Sequence, residues 1–291
     1  MKFMLIISRF WNMAVALLVI ILLGCSTALP SQAFTTEKLL EKIPVVPTRT
    51  STSIHLLLGN PSNATENTDN LDNYLVKKPQ YALSYNNSKG TPNWVSWQLN
   101  QSWLGEVERQ NDFRPDSSLP ESFVRITPSI YSRSGYDKGH LAPSADRTKT
   151  KEDNAATFLM SNMMPQTPDN NRNTWANLEE YSRDLVREGK ELYIIAGPAG
   201  SLDEPLKDKV TIPESTWKIV VVLDRLNSRL KGITANTRVI AVNVPNEEVV
   251  DNDWRNYTVS VDELEELTGY DFISNVSPNI QEVIESRVDN L

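Results

Sequence analysis

The sequence predicts an α+β fold, a central and mainly antiparallel sheet flanked by helices, and three observations lead there. Val95, Trp97 and Leu99 alternate with Ser96 and Gln98, the two-residue period of a half-buried strand. Residues 192–196, 218–223 and 238–244 are apolar runs of strand length. Helical periodicity is confined to a few segments, one beginning near Trp175 and two near the C-terminus.

Residues 1–33 stand apart from that fold. Lys2 and Arg9 form a positive n-region, residues 14–23 are an unbroken apolar run, and small residues follow. This is the pattern of a secretory signal peptide, too short for a comfortable membrane span. The only cysteine, Cys25, closes Leu22-Leu23-Gly24-Cys25, which resembles a bacterial lipobox. Two outcomes stay open: Cys25 becomes the lipidated first residue, or cleavage near Ala33 discards it. Neither leaves an intrachain disulfide, and the expected location is secreted or periplasmic, lipid-anchored in the first case. Residues 34–52 are rich in Thr, Ser and Pro and read as a tether, which leaves 53–291 as one folded domain.

The formal charge is −8, and −10 once Lys2 and Arg9 are removed. Static affinity for nucleic acid comes largely from basic residues, so this balance argues against a packaging protein. It does not exclude an enzyme with a local basic cleft.

Within the domain, residues 53–58 are apolar enough for a first strand, stopped by the turn residues Gly59-Asn60-Pro61-Ser62. His55 falls in that strand as a packed residue. Strands at 81–85 and 93–99 follow, joined across residues 86–90, with their tryptophans in the core. A loop over 105–122 carries Arg109, Arg114 and two prolines. Residues 157–161 read as a short strand buried on both faces, and 162–173 as a loop punctuated by Pro165 and Pro168. A helix then runs to about Val186, with Trp175, Leu178, Tyr181, Leu185 and Val186 in one stripe. Glu179 and Arg183 stand on consecutive turns at the edge of that stripe. Ser260 and Glu263 make a capping box for a helix that Gly269 ends. Ser277-Pro278 opens the last helix, whose Ile280, Val283, Ile284 and Val288 form an apolar face.

The stretch around which the rest is organised is Tyr136-Asp137-Lys138-Gly139-His140-Leu141-Ala142-Pro143-Ser144. The chain has two histidines, His55 and His140, and histidine is the side chain that exchanges a proton near neutral pH. Gly135 and Gly139 allow backbone angles or a close approach that other residues resist. On spacing alone, a structural turn and a catalytic base both remain open.

This segment resembles the Asp-Arg-Gly-His signature of the DNA/RNA non-specific endonucleases, the ββα-metal or His-Me finger nucleases, with Lys138 where the family has arginine. The resemblance continues in Asn162-Met163-Met164-Pro165-Gln166 and in Asn171-Arg172-Asn173-Thr174-Trp175-Ala176-Asn177-Leu178-Glu179. It covers about residues 53–289 and is to the secreted cyanobacterial members in particular. It implies a ββα-metal fold and hydrolysis of DNA and RNA to 5′-phosphate oligonucleotides with one hydrated Mg²⁺ or Mn²⁺. His140 would be the general base, Asn171 the direct metal ligand, and Glu179 a ligand of the metal's water shell. Arg109 and Arg183 would clamp the phosphate, while Asp137 supports the histidine segment and Lys138 adds charge. Small inhibitor polypeptides restrain some members, though no residue here identifies such a partner; oligomeric state is open.

Three other readings of the same chain remain, one of them a phosphodiesterase for small nucleotides, which would require a closed pocket and not an open groove. A catalytically weak or inactive lipoprotein could bind nucleic acid or a protein partner on this fold. Without the resemblance, Asn171 reads as a helix cap or turn former, Glu179 and Arg183 as an exposed ion pair, and Arg109 as solvated surface. Lys138 keeps the family's charge but lacks the planar fork of arginine. Lys138→Arg is therefore expected to leave nuclease activity equal or higher in an initial-rate assay; a clear drop would show the lysine to be an adaptation.

Overall fold

Strands that bury both faces need a layer on each side, and that requirement sets the architecture. The computed structural model describes residues 53–202 and 204–290; the export signal, the lipobox-like motif and the tether lie outside the described residues. In chain order the strands are β1 (Tyr74–Lys77), β2 (Ala82–Asn86), β3 (Thr91–Leu99), β4 (Asp137–His140) and β5 (Met163–Gln166). They continue as β6 (Glu191–Ala199), β7 (Ser215–Leu223), β8 (Arg238–Pro245) and β9 (Thr258–Val259). The α-helices are α1 (Lys151–Ala156), α2 (Ala176–Arg187), α3 (Val261–Thr268) and α4 (Pro278–Glu285).

Seven strands form one sheet in the order β1-β2-β3-β6-β7-β8-β9, every neighbouring pair antiparallel. Strands β4 and β5 make a separate two-stranded antiparallel ribbon. Alternation divides the large sheet cleanly. Trp97, Leu192, Ile194, Val220 and Val222 face one core, which Leu178, Leu185 and Val186 of α2 and Leu141 beyond β4 complete. Trp94, Tyr193, Ile195, Ile219 and Val221 face the other, under Val261 and Leu264 of α3 and Ile284 of α4. The candidate histidine segment and α2 thus share one side of the sheet.

The α+β class and the antiparallel sheet match the expectation, and so do strands β2, β3, β6, β7 and β8. Helix α3 has its capping box, with Ser260 and Glu263 bonded reciprocally, and Gly269 ends it in the left-handed region at φ 72°. Three local expectations are corrected. Residues 53–58 are not a strand: the Ser53 hydroxyl accepts the His55 N–H and caps a 3₁₀ turn over Ile54–Leu56. Their apolar side chains pack onto a sheet face as a turn, which periodicity over six residues does not distinguish. Residues 157–161 are buried as expected but close α1 and enter a 3₁₀ turn. The strand comes later, as β5, inside the stretch read as a loop.

His55 is packed, 2 % exposed, and satisfied in the neutral form. Its Nε2 donates to the Pro79 carbonyl at 2.7 Å and its Nδ1 accepts the Gln98 N–H at 3.1 Å. Burial lowers its pKa to about 4, and burial followed by the Arg109 and Lys138 charges lowers that of His140 to about 3. Both folded values lie below the usual 6.5, so the unfolded chain binds the protons first. The stability held above pH 6.5 is lost as pH falls toward 4 and then 3. Each such histidine adds up to about 1.4 kcal/mol per pH unit to the slope of stability in that window. Urea denaturation between pH 6 and 4.5 is expected to show a shallower pH slope for His55→Gln than for the unaltered chain; parallel slopes would contradict this.

Candidate active site

The site grows from the β4–β5 ribbon. Asp137 pairs with Gln166 and His140 with Met163 across it. The two glycines of the segment act differently. Gly135 adopts φ 85°, the left-handed region, just before the strand. A Cβ on Gly139 would overlap the Gln166 side chain, so close approach, not dihedral freedom, demands glycine there. Beyond β4, the buried Asn162 amide accepts the Ala142 N–H at 3.0 Å and donates to the Ala142 and Thr157 carbonyls at 2.8 and 2.9 Å. That clamp fixes the chain as it leaves His140.

His140 is 8 % exposed, with Phe113 and Phe158 edge-on at centroid distances of 5.6 and 5.0 Å. The Arg109 guanidinium lies 4.8 Å from the centre of the Phe158 ring, and the Lys138 ammonium 4.8 Å from that of Phe113. Burial and these two cations keep the imidazole neutral at every pH near 7. Its Nε2 is buried with no hydrogen-bond partner among the described residues. Trp175 donates instead to the His140 backbone carbonyl, at 3.3 Å, and joins the ribbon to the helix beyond.

Asn171 sits in a π-helical turn, Asn170–Trp175, that leads directly into α2. Such wide turns are rare and recur at functional sites. Asn170 secures the turn to the large sheet, donating to Thr216 Oγ1 and the Pro245 carbonyl at 3.0 Å each. The Asn171 Nδ2 donates to Asp137 Oδ2 at 2.9 Å, and Arg172 holds the same carboxylate with two bonds of 2.8 and 2.7 Å. Burial would raise the Asp137 carboxyl, but the bonds from Arg172 and Asn171 outweigh it and hold it below the usual range. Because Asp137 accepts the amide nitrogen, the Asn171 oxygen makes no hydrogen bond among the described residues.

One helical stretch on, Glu179 meets a lysine from the middle of the sheet. Lys218 of β7 is 1 % exposed, with its Nζ 3.6 Å from Glu179 Oε1 and 4.0 Å from the centre of the Trp175 ring. Arg183 donates from Nη1 to Asp146 Oδ1 at 3.0 Å and from Nε and Nη2 to Glu180. Trp97 donates to the other Asp146 oxygen at 2.9 Å. Lys218, Arg183, Glu179 and Asp146 thus form a neutral cluster of four charges. Burial pushes Glu179 up and Lys218 down, and each opposes the other's shift.

Most of the expected site residues converge on the ribbon and α2. His140, Lys138 and Arg109 share the Phe113 and Phe158 wall, while Asn171 and Asp137 are bonded to each other. Arg109 is anchored to Ser144 and Asn111 through Nη1 and Nε, at 2.7 and 2.8 Å, which leaves Nη2 without a bond to any described residue. Two placements differ from expectation. Asp137, expected to support the histidine segment, gives its oxygens to Asn171 and Arg172 and none to the imidazole. Arg183, expected to clamp the phosphate, turns inward with all three guanidinium nitrogens occupied by Glu180 and Asp146, and it and Glu179 are not the exposed pair of the reading without the resemblance. Sequence reading missed Lys218, Asp146 and Arg172. A lysine heading the run 218–223 was the available signal for the first; Arg172 lay inside the Asn171–Glu179 motif and Asp146 just past the histidine segment, neither with a signal of its own.

A neutral buried imidazole on a two-stranded ribbon, followed by a helix that presents an amide and a carboxylate, defines the ββα class of nuclease site. The family of DNA/RNA non-specific endonucleases matches residues 58–279, and the chain belongs to it. A nuclease from Nostoc sp. strain PCC 7120 is 68% identical over 279 residues, 96% of this chain and 98% of that protein. Human mitochondrial endonuclease G is 30% identical over 216 residues, 69% of this chain and 70% of that one. Mitochondrial nuclease EXOG of Xenopus laevis is 31% identical over 204 residues, and the match spans 55% of that protein's length. In fold, the chain resembles the crystal structure of an EndoG/EndoGI complex, with TM-score 0.64 and 24% identity over 79% of this chain and 95% of that one. The protein is an endonuclease.

Removing the buried lysine takes from Glu179 its direct ion-pair partner. Lys218→Met is expected to cost about 3 kcal/mol in urea denaturation, as breaking one side of a buried pair does. A loss under about 0.5 kcal/mol, ordinary for a surface site, would show that the ion pair contributes little.

Proposed function

We propose that the chain hydrolyses phosphodiester bonds of single- and double-stranded DNA and RNA without sugar preference, leaving 5′-phosphate oligonucleotides, with His140 as general base. The observation that carries this reading is the uncommitted imidazole, neutral in a wall that also holds two cations. A neutral ring can take the proton of an attacking water. A phosphate anion bound between Arg109 and Lys138 would offset their field and raise the ring's proton affinity when it is needed. Arg109, with Nη2 uncommitted, is placed to donate to a phosphate oxygen. Arg183 braces Asp146 and Glu179 from beneath.

Members of this family are divalent-metal-dependent nucleases, and the donor set here fits a hard cation. The Asn171 amide is oriented by Asp137, its oxygen without a partner among the described residues, and Glu179 follows on the adjoining helix. Asn171 would hold Mg²⁺ or Mn²⁺ directly, and Glu179 would bind its water shell, since Mg²⁺ keeps most of its waters and needs few protein anchors. Bound there, the metal would neutralise charge on the phosphate and supply acidity toward the departing 3′ oxygen. Asp137 fixes which atom of Asn171 faces the metal, and Lys218 fixes the Glu179 carboxylate.

The export signal read over residues 1–33 puts this activity outside the cytoplasm, whether or not Cys25 is acylated. DNA and RNA are the partners that follow. A small inhibitor polypeptide is a third that this reading admits, EndoGI being the inhibitor in the EndoG complex.

Nicking of supercoiled plasmid and degradation of RNA, each with Mg²⁺, with Mn²⁺ and with EDTA, test the proposal. His140→Ala is expected to lose about 10²- to 10⁴-fold in rate, the usual contribution of a general base, and EDTA to abolish both activities. Equal rates for His140→Ala and the unaltered chain would end the assignment of His140.

A further inference from the structure

A second group of uncompensated charge lies on the opposite side of the large sheet, where α3 and α4 pack. Asp262 is in the first turn of α3, Glu265 is one turn further along, and Glu285 is the last residue of α4. Each brings an oxygen of its carboxylate within 4.8 Å of the other two. Glu285 is 7 % exposed, and its Oε1 is buried with no hydrogen-bond partner among the described residues. Glu265 accepts the Phe272 N–H at 2.8 Å, but no Lys or Arg among the described residues pairs with any of the three.

Buried carboxylates are ordinarily paired or bound to a metal, because burial without a counter-charge disfavours the ionised form. Here burial, and then Glu265, Asp262 and Asp271, raise Glu285 to about 7. The geometry suits one occupant in particular. Ca²⁺ holds oxygens at about 2.3–2.6 Å, so two ligands on opposite sides of it stand about 5 Å apart. All the donors are oxygens, which favours a hard cation over the softer metals. The partly exposed rim at Asp262 and Glu265 leaves room for the waters that complete an irregular shell. Mg²⁺ would demand a stricter octahedron and shorter bonds.

We propose that Asp262, Glu265 and Glu285 form a structural Ca²⁺ site that ties the end of α4 to the first turns of α3. Helix α4 has eight residues and rests on packing of Ile284 and Ile280. A helix so short has little stability of its own, and an ion bridging it to its neighbour supplies a cross-link in a layer without disulfides. The site is separate from Asn171 and has no part in the hydrolysis proposed above.

The test uses the full-length protein, stripped of metal and melted with and without about 1 mM CaCl₂, a concentration at which weak extracellular-type calcium sites fill. The expected result is a rise of about 5 °C for the unaltered chain and none for Glu285→Gln. Equilibrium dialysis against ⁴⁵Ca, in an Asn171→Ala background, should retain one ion per chain and lose it on adding Asp262→Asn. Asp262 is exposed, so that variant folds even if Glu285→Gln does not. An equal rise in the unaltered chain and Glu285→Gln would place any calcium effect elsewhere and overturn the proposal. So would retention of the ion in the Asp262→Asn variant. Absence of any calcium-dependent rise, with stabilisation instead as pH is lowered from about 7 to 6, would overturn it too and assign the cluster to a shared proton.

Discussion

The ion pair between Lys218 and Glu179 is the constraint on which the rest of the site depends. Lys218 points from the centre of β7 toward α2, where Trp175 covers its ammonium and Glu179 answers its charge. Burying four charges is costly, and their mutual attraction repays that cost only in one arrangement of sheet and helix. An apolar seam would let α2 slide or turn by a fraction of a residue with small loss. A lysine that must find a carboxylate does not permit it. The cluster therefore contributes register more than net stability, and register is what carries Glu179 and the turn before it to the ribbon.

The histidine side of the site answers a different problem. With a formal charge of −8, the chain repels polyanions on average, and the cations that matter are gathered locally. Arg109 and Lys138 lie over the same two aromatic rings that wall His140. Their field keeps a proton off the imidazole. Under the proposed function the same charges would serve both phosphate recognition and the state of the base. Asp137 solves a third problem: an amide presents either nitrogen or oxygen, and the carboxylate decides which.

Much of this was legible in the sequence because it rested on strong local patterns. Alternation in residues 93–99 and the apolar runs beyond 191 gave the sheet, and capping chemistry gave α3 down to its left-handed Gly269. His140, Asn171 and Glu179 were readable through three motifs in one order. The errors came where local apolar content is satisfied by more than one conformation. Residues 53–58 and 157–161 are buried as turns, and β5 is a strand built from Met-Met-Pro-Gln, whose pairing with β4 no local pattern reports. Lys218 was hidden for a related reason: its role appears only once β7 is placed beneath α2. Contacts between distant segments, such as Asp137 with Asn171, leave no mark on spacing.

The π-helical turn at Asn170–Trp175 has a consequence for how such a chain can vary. In an unbroken α-helix, two residues eight apart stand about 80° from one another around the axis. A π-helical turn advances less in angle per residue than an α-helical one, so the turn between Asn171 and Glu179 narrows that offset. The spacing of the two residues is therefore a phase setting. Loss of one residue between them would leave every ligand type present and still rotate one away from the other, so this segment tolerates exchange of side chains far better than a change of length.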